Sequence, residues 1–307
     1  MSRSYAIATP SHAGDFARCR LLCASIDRYL SGHSTHYLLV EDADLPLFKP
    51  LAGPRRTVLP ESALLPAWLK ARPDPLSLGR RRVWTGLGAL RRGVPPLRGW
   101  HAQQLRKLAL PLAMPEDVVI FADSDMMFLR PFDLASLSQG EAVRLYVKPG
   151  HIRAEMTEHA AWCRNAASLL GLPAPAMPSD DYINNLVSWR REHVVAMLAL
   201  IAERAGRDWV SAIGRMRRFS EYLIYGYYVD QVLGRERAGH FGEALELCKV
   251  YWGDEREPLA GLSSFEQVLE PGQVAVGVQS FIGEPVAHLQ ALFEAQPDAA
   301  SASRRAP

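Results

Sequence analysis

The chain has little that would staple or anchor it. Four cysteines, Cys19, Cys23, Cys163 and Cys248, are spread over 307 residues. They form no C-x-x-C pair and no metal-ligand spacing, which argues against a disulfide scaffold and a zinc-ribbon site. Cys19 and Cys23 stand one helical turn apart, a spacing suited to packing, and reduced thiols agree with a cytoplasmic setting. No run of 18 residues is both apolar and uncharged, so no spanning helix is expected. The apolar stretch in MSRSYAIATPSHAGD is too short for a signal peptide and reads as a first strand. Charge of one sign is also missing: 35 Lys and Arg face 33 Asp and Glu, a formal net charge of +2. With no nucleic-acid motif either, nucleic acid is not an expected partner. Staples are not needed, because a globular chain of this length buries roughly 75% of its unfolded surface.

What is present alternates. SYAIATPS reads as a strand ending at a Pro-Ser turn, and DFARCRLLCASIDRYL places Phe16, Cys19, Leu22, Cys23, Ile26 and Leu30 at helical spacing. THYLLVED is a second apolar strand ending in acids, and VVIFA from Val118 is a third. WHAQQLRKLALPLAM resumes a helical pattern, with Trp100, Gln104, Lys107 and Leu108 near one face. DDYINNLVSW leads into a long amphipathic helix. RFSEYLIYGYYVDQVLG predicts another, with Ser220 as its cap and Glu221 at the positive end of its dipole. Short strands follow at ELCKVYW and QVAVGVQS. The alternation is that of an α/β domain, expected over residues 1–290, with residues 291–307 as a disordered Ala/Ser/Pro-rich tail.

Residues 51–99 interrupt the pattern as a basic insertion. From Leu51 to Leu110 there are twelve Lys and Arg but two Asp and Glu. Such a segment is either a flexible surface insertion or a lid or acceptor surface for phosphorylated or membrane-surface substrates, which basic clusters attract.

The chemistry-bearing stretch is VVIFADSDMMFLRPFD. An apolar strand ends in two carboxylates one residue apart, Asp123 and Asp125, which repel unless a cation or hydrogen-bond donors hold them. In open α/β sheets ligands bind beyond the carboxyl ends of strands, and carboxylate oxygens suit hard cations such as Mg²⁺ or Mn²⁺ that bridge to phosphates. An acidic turn without a ligand is the competing reading.

The segment QQLRKLALPLAMPEDVVIFADSDMMFLRPFD resembles the centre of GT-A fold glycosyltransferases, especially glycogenin-like enzymes and related uncharacterised bacterial families. The resemblance spans roughly residues 4–50 and 98–285. It implies a GT-A (Rossmann-like) α/β fold, with a mixed, mainly parallel central sheet flanked by helices. It further implies sugar transfer from a nucleotide-sugar donor, UDP-linked by preference, to a glycan or lipid-linked acceptor.

By the same resemblance Asp125 ligates the divalent cation, Mn²⁺ or Mg²⁺. Asp123 contacts ribose or sugar, sometimes through the metal. Thr9, Pro10 and Ser11 cradle the nucleoside, with Asp15 as a further candidate there or as a helix cap. Gln104 and Lys107 face the nucleotide, Lys107 as a point charge for phosphate, with His101 a weaker candidate. Asn184 and Asn185 bond sugar hydroxyls, while Asp180 and Asp181 cap the long helix or bind acceptor. Glu221 contacts the sugar or serves as general base in an inverting mechanism, with Tyr222 lining the same pocket. The family's C-terminal His-Gly-Lys-Trp pattern is absent here. His240 and His288 are the substitutes to test as a third metal ligand, and Lys249 and Trp252 are candidates to approach the phosphates. Alternatives are a sugar nucleotidyltransferase, whose Gly-rich basic loop TPSHAGDFAR lacks, and a non-catalytic nucleotide- or glycan-binding protein of the same fold. The expected location is cytoplasmic, with peripheral contact at the inner membrane face through the basic insertion.

Overall fold

The computed structural model describes residues 3–77, 81–252, 259 and 262–296. Its centre is a five-stranded sheet. Strand β1 (Tyr5–Pro10) leads through helix α1 (Phe16–Tyr29) to β2 (His33–Val40), and β3 (Arg56–Pro60) follows at the edge. Helix α2 (Gly99–Ala113) then returns the chain to β4 (Val118–Phe121) on the other side of β1. Strand β1 runs parallel to both β2 and β4, in register Thr9↔Leu38 and Ala8↔Phe121. Strands β1 and β4 are buried at every residue, which is why they read as unbroken apolar runs: helices cover both sheet faces.

Beyond β4 the chain forms β5 (Met126–Phe128), β6 (Ala142–Tyr146), β7 (Lys148–Ile152), α3 (Thr157–Leu170) and β8 (Ser179–Asp181). Strand β9 (Val187–Arg190) pairs antiparallel with β4, giving the order β9-β4-β1-β2-β3. Next come α4 (Arg191–Ala205), α5 (Trp209–Gly214) and α6 (Glu221–Tyr227), the last continued by a π-helical turn, Tyr228–Leu233. Strand β10 (His240–Glu243) pairs parallel with β6. Strands β11 (Cys248–Tyr251) and β12 (Ala275–Val278) build a small sheet with β5, and α7 (Val286–Glu294) follows. The architecture is a Rossmann-like α/β fold with a mainly parallel central sheet flanked by helices.

Three boundaries differ from the sequence reading. Arg56–Pro60, placed in the basic insertion, is the fourth parallel strand of the main sheet, paired with β2 from His36↔Arg56 to Val40↔Pro60. Its five residues, bracketed by prolines, carry too little pattern to separate strand from turn. More of the segment has regular structure: Lys70–Pro73, Arg82–Thr85 and Leu97–Arg98 form an antiparallel sheet whose Trp84 and Leu97 are buried in the main core. At the other end α7 carries folded chain into the expected tail, burying Leu289, Leu292 and Phe293; residues 297–307 lie outside the described residues. Among the described residues no helix is long and apolar enough to cross a membrane.

Gly226 shows how closely α6 is packed. A Cβ there would stand 2.2 Å from Cγ of Tyr182, so Gly226→Ala forces the Tyr182 ring away and is expected to cost about 1–3 kcal/mol. Urea unfolding checks it, and an unchanged midpoint would mean that the ring yields freely.

Candidate functional site

The chain leaves β1 toward β2 on one side and reaches β4 on the other. The crevice beyond the carboxyl ends of β1 and β4 is therefore the topological switch point, where open α/β sheets bind ligands. Asp123, Ser124 and Asp125 turn out of β4 at this point. The turn closes with the Met126 N–H donating to Asp123 O at 3.3 Å.

Asp125 is held from the far side. Its backbone oxygen accepts from Val278 N at 3.0 Å, and its Oδ2 accepts from Ser280 N at 3.1 Å. Its Oδ1 is closed off from solvent and has no hydrogen-bond partner among the described residues. Burial, then the negative charges of Asp123 and Asp15, push the Asp125 carboxyl up to about 7, with the Ser280 N–H opposing. Asp15 occupies the N-cap position of α1 but makes no capping bond there. Its Oδ2 instead accepts from Ser124 Oγ at 3.5 Å and lies 3.3 Å from His12 Nδ1. That bond to Asp15 raises the His12 pKa. Three acids thus converge on the strand end.

Lys107 does not reach into the crevice as a phosphate ligand. It is buried beneath Asp123, with Nζ 3.1 Å from Asp123 Oδ1, 3.3 Å from Glu221 Oε1 and donating to Tyr222 Oη at 2.8 Å. The Asp123 contact is electrostatic, its angles lying outside the hydrogen-bond range. Burial works against the Lys107 charge, but Asp123, Tyr222 and Glu221 outweigh it and raise its pKa well above the ordinary value. Glu221 is buried as well, only 3% exposed. Burial raises its pKa and Lys107 opposes the rise. Its side chain is closed off from solvent and faces Lys107.

Gln104 faces α6: its Oε1 accepts from Glu221 N at 3.0 Å, while its Nε2 is buried without a partner among the described residues. Ser220 sits at the N-cap of α6 but makes no side-chain cap. Gln104 satisfies one of the helix's orphan N–H groups in its place.

The amide loop meets the strand end directly. Asn185 Oδ1 accepts from Asp123 N at 3.4 Å, and Asn184 Oδ1 accepts from Asn185 N at 2.7 Å. Leu186 has φ of 61°, the left-handed region, while its N–H donates to Phe121 O at 2.9 Å. A bulky side chain at such an angle costs on the order of 1–2 kcal/mol. This backbone turn sends Asn185 back toward Asp123 as β9 starts.

Other expected residues serve the fold. Thr9 Oγ1 lies 2.9 Å from His36 Nε2, and Arg56 Nε donates to His36 Nδ1 at 3.0 Å. His36 Nε2 is therefore the N–H that donates to Thr9, and Thr9 is turned away from the crevice. Pro10 pairs with Leu39, and Ser11 N donates to Leu39 O at 3.0 Å, so the end of β1 is a rigid wall. Asp180 Oδ1 accepts from Gly150 N at 2.9 Å and Asp181 Oδ1 from Ile183 N at 3.0 Å; neither caps α4, which begins after Arg190. His101 bridges Arg98 N and Arg217 O. Neither substitute histidine offers itself as a third ligand. His240 uses Nδ1 on Val143 O at 2.9 Å and Nε2 on Tyr225 Oη at 3.0 Å, and His288 in α7 contacts Glu284. Lys249 stands on β11 with Nζ 5.7 Å from the Tyr251 ring, and Trp252 is 55% exposed beside Phe281. Among the described residues no three His, Cys, Asp or Glu side chains form a ready metal cage. Ser280 was missed by sequence reasoning, and nothing local marks it, because its contact with Asp125 spans 155 residues.

A cavity of about 690 Å³ lies elsewhere, lined by Arg190, Glu192, His193 and Arg237 among others. Arg190 pairs with Val118, so this cavity sits at the amino end of β4. Its charges answer each other, as in the Arg190–Glu192 pair at 2.5 Å. Among the described residues it contains no buried unpartnered polar side chain, unlike the acidic crevice.

Sheet order, switch point and gathered acids define a Rossmann-like α/β protein with an acidic crevice at the carboxyl ends of its strands. Residues 5–262 match DUF6492, a family of unknown function, and the chain belongs to that family. No curated protein matches it.

Proposed function

We propose that the protein is a glycosyltransferase, taking a sugar from a nucleotide-sugar donor of the UDP type with a divalent cation, Mn²⁺ or Mg²⁺, at Asp123 and Asp125. The observation that carries this reading is the buried, unpartnered Asp125 Oδ1 at the switch point, beside Asp123 and Asp15. Such an oxygen fits a hard cation, whose charge would offset the repulsion that pushes the Asp125 carboxyl up. When bound, the cation supplies neutralisation of the departing diphosphate.

The chain's own groups divide the remaining work. Lys107, itself held by Glu221 and Tyr222, fixes one face of Asp123 and leaves the rest of that half-exposed carboxylate toward the crevice. Asn185, tied to the Asp123 backbone, and the half-buried Asn184 offer amides to sugar hydroxyls. Because Glu221 is buried against Lys107, the base expected for an inverting reaction is not at the surface, which favours retention of anomeric configuration.

A thermal-shift screen of nucleoside diphosphates and nucleotide sugars, with and without Mn²⁺, tests the proposal. One of these ligands is expected to stabilise the protein only with metal, by about 2.7 kcal/mol at a hundredfold excess over its Kd, and Asp125→Ala is expected to lose the effect. No response in any metal overturns the proposal. Release of free sugar from the responding donor would then separate a transferase from a binding protein.

A further inference from the structure

We propose that the outer face of the small antiparallel sheet in the basic segment is a docking surface for an anionic membrane. Strand alternation fixes which side chains share a face. Ala71 pairs with Trp84 and Trp84 with Leu97, and the Trp84–Leu97 side is buried in the core. The opposite side therefore carries Lys70, Arg72, Val83 and Arg98, with Val83 between Arg72 and Arg98. Lys70, Arg72 and Arg98 are exposed, and among the described residues none of them pairs with a carboxylate. Arg82 has the inward parity and turns to Glu41 and Asp44 instead, pinning the sheet to the loop after β2.

Exposed apolar groups adjoin these strands in the chain. Leu76, 96% exposed, stands in the turn before Arg82–Thr85, and Leu87 and Leu90 are 75% and 56% exposed on the short helix Leu87–Arg91 after it. Leu87 and Leu90, three apart, lie on one side of that helix, with the exposed Arg91 beside them. Exposed leucines among unpaired cations match a lipid surface better than a nucleic acid: headgroup phosphates meet the cations while the leucines reach the acyl boundary. The chain's charge is arranged to suit. Residues 51–99 hold ten of the 35 bases and two of the 33 acids, so the remainder is net acidic and the field turns this face toward an anionic surface. None of these residues belongs to the acidic crevice, so failure here leaves the reaction proposed above untouched.

Co-sedimentation with vesicles of phosphatidylcholine, with and without phosphatidylglycerol, tests the surface. The wild type is expected on the anionic vesicles only, less so as salt is added. Lys70→Glu, Arg72→Glu and Arg98→Glu together are expected to weaken binding roughly tenfold or more. Leu87→Ser with Leu90→Ser is expected to weaken it several-fold at unchanged charge. Circular dichroism confirms that these exposed substitutions leave the fold intact. Binding to neutral vesicles as well, binding to neither, or full binding by the charge variant overturns the proposal. Full binding by the leucine variant, with short duplex DNA displacing the protein, would assign the face to a soluble polyanion instead.

Discussion

Asp125→Asn is expected to stabilise the metal-free protein by about 2–4 kcal/mol near pH 8 while ending its response to divalent cations. The Asp125 carboxyl is held up to about 7 by burial and by Asp123 and Asp15, whereas in an unfolded chain it titrates near 3.9. A group raised in this way contributes its stability in full below its unfolded pKa and loses it as pH rises through about 7. Near pH 8 the folded protein therefore carries the whole cost of an ionised Asp125. Asparagine removes that charge and keeps an oxygen to accept from Ser280 N. Chemical unfolding in EDTA at about pH 5 and pH 8 checks this: the gain should shrink toward the lower pH, where the wild-type carboxyl is protonated. A loss of stability at both pH values would show that Asp125 is a structural acid already satisfied by its neighbours. With Mn²⁺ present the order should reverse, the wild type gaining and the variant not.

Lys107→Met is expected to cost about 3–5 kcal/mol near neutral pH, because it leaves Glu221 and the inner face of Asp123 without their buried countercharge. Methionine keeps most of the stem's volume, so the loss reports charge more than packing. Glu221 already has a pKa raised by burial, and Lys107 is the largest influence holding it down. Without Lys107 it rises further. A carboxyl raised in the folded state withdraws stability as pH climbs through that pKa, so the deficit should grow above neutrality and shrink in acid. Glu221→Gln in the Lys107→Met background should recover part of the loss, a non-additivity expected of direct neighbours. Urea unfolding of the single and double variants measures it. An equal deficit at about pH 5 and pH 8, with no recovery, would place the effect in packing instead.

These two expectations have opposite signs because the two acids of the D-x-D step differ in what compensates them. The cation of α2 is committed to Asp123 and Glu221. Asp125 receives a backbone N–H from Ser280 and, among the described residues, no cationic side chain. A residue whose charge destabilises the folded chain is the kind that functional sites retain.

Much of the framework is legible in the residues. Tyr5–Pro10 and Val118–Phe121 are apolar enough to be recognised as buried strands, and of the helical set Trp100, Gln104, Lys107 and Leu108 the last three are buried on α2 while Trp100 is 44% exposed. What that spacing hides is the content of the face. A lysine on an amphipathic helix reads as solvated, and only the acids of β4 and α6 make its burial possible. Gln104 and Glu221 meet across 117 residues of chain. The two halves of that contact are ordinary polar residues until the helices pack. Glu221 likewise has a good helix-start signal, and that signal says nothing of which side of the helix end faces the crevice.

By itself, then, the sequence determined the alternation of strands and helices, the unbroken apolar strands of a doubly covered sheet, and the delivery of two acids to a strand end. These follow from local patterns of period 2 and 3.6 and from composition. The tertiary structure alone decided that β1 and β4 enclose the switch point, that Asp15 joins the pair, and that Lys107 serves Asp123 and Glu221 rather than a phosphate. Coulomb energy depends on distance through space, and chain separation carries no record of it. The same amino acids could have left either acid unbalanced; the packing of α2 against α6, and of β12 beside β5, left Asp125 as the one whose unpartnered oxygen has no cation beside it among the described residues.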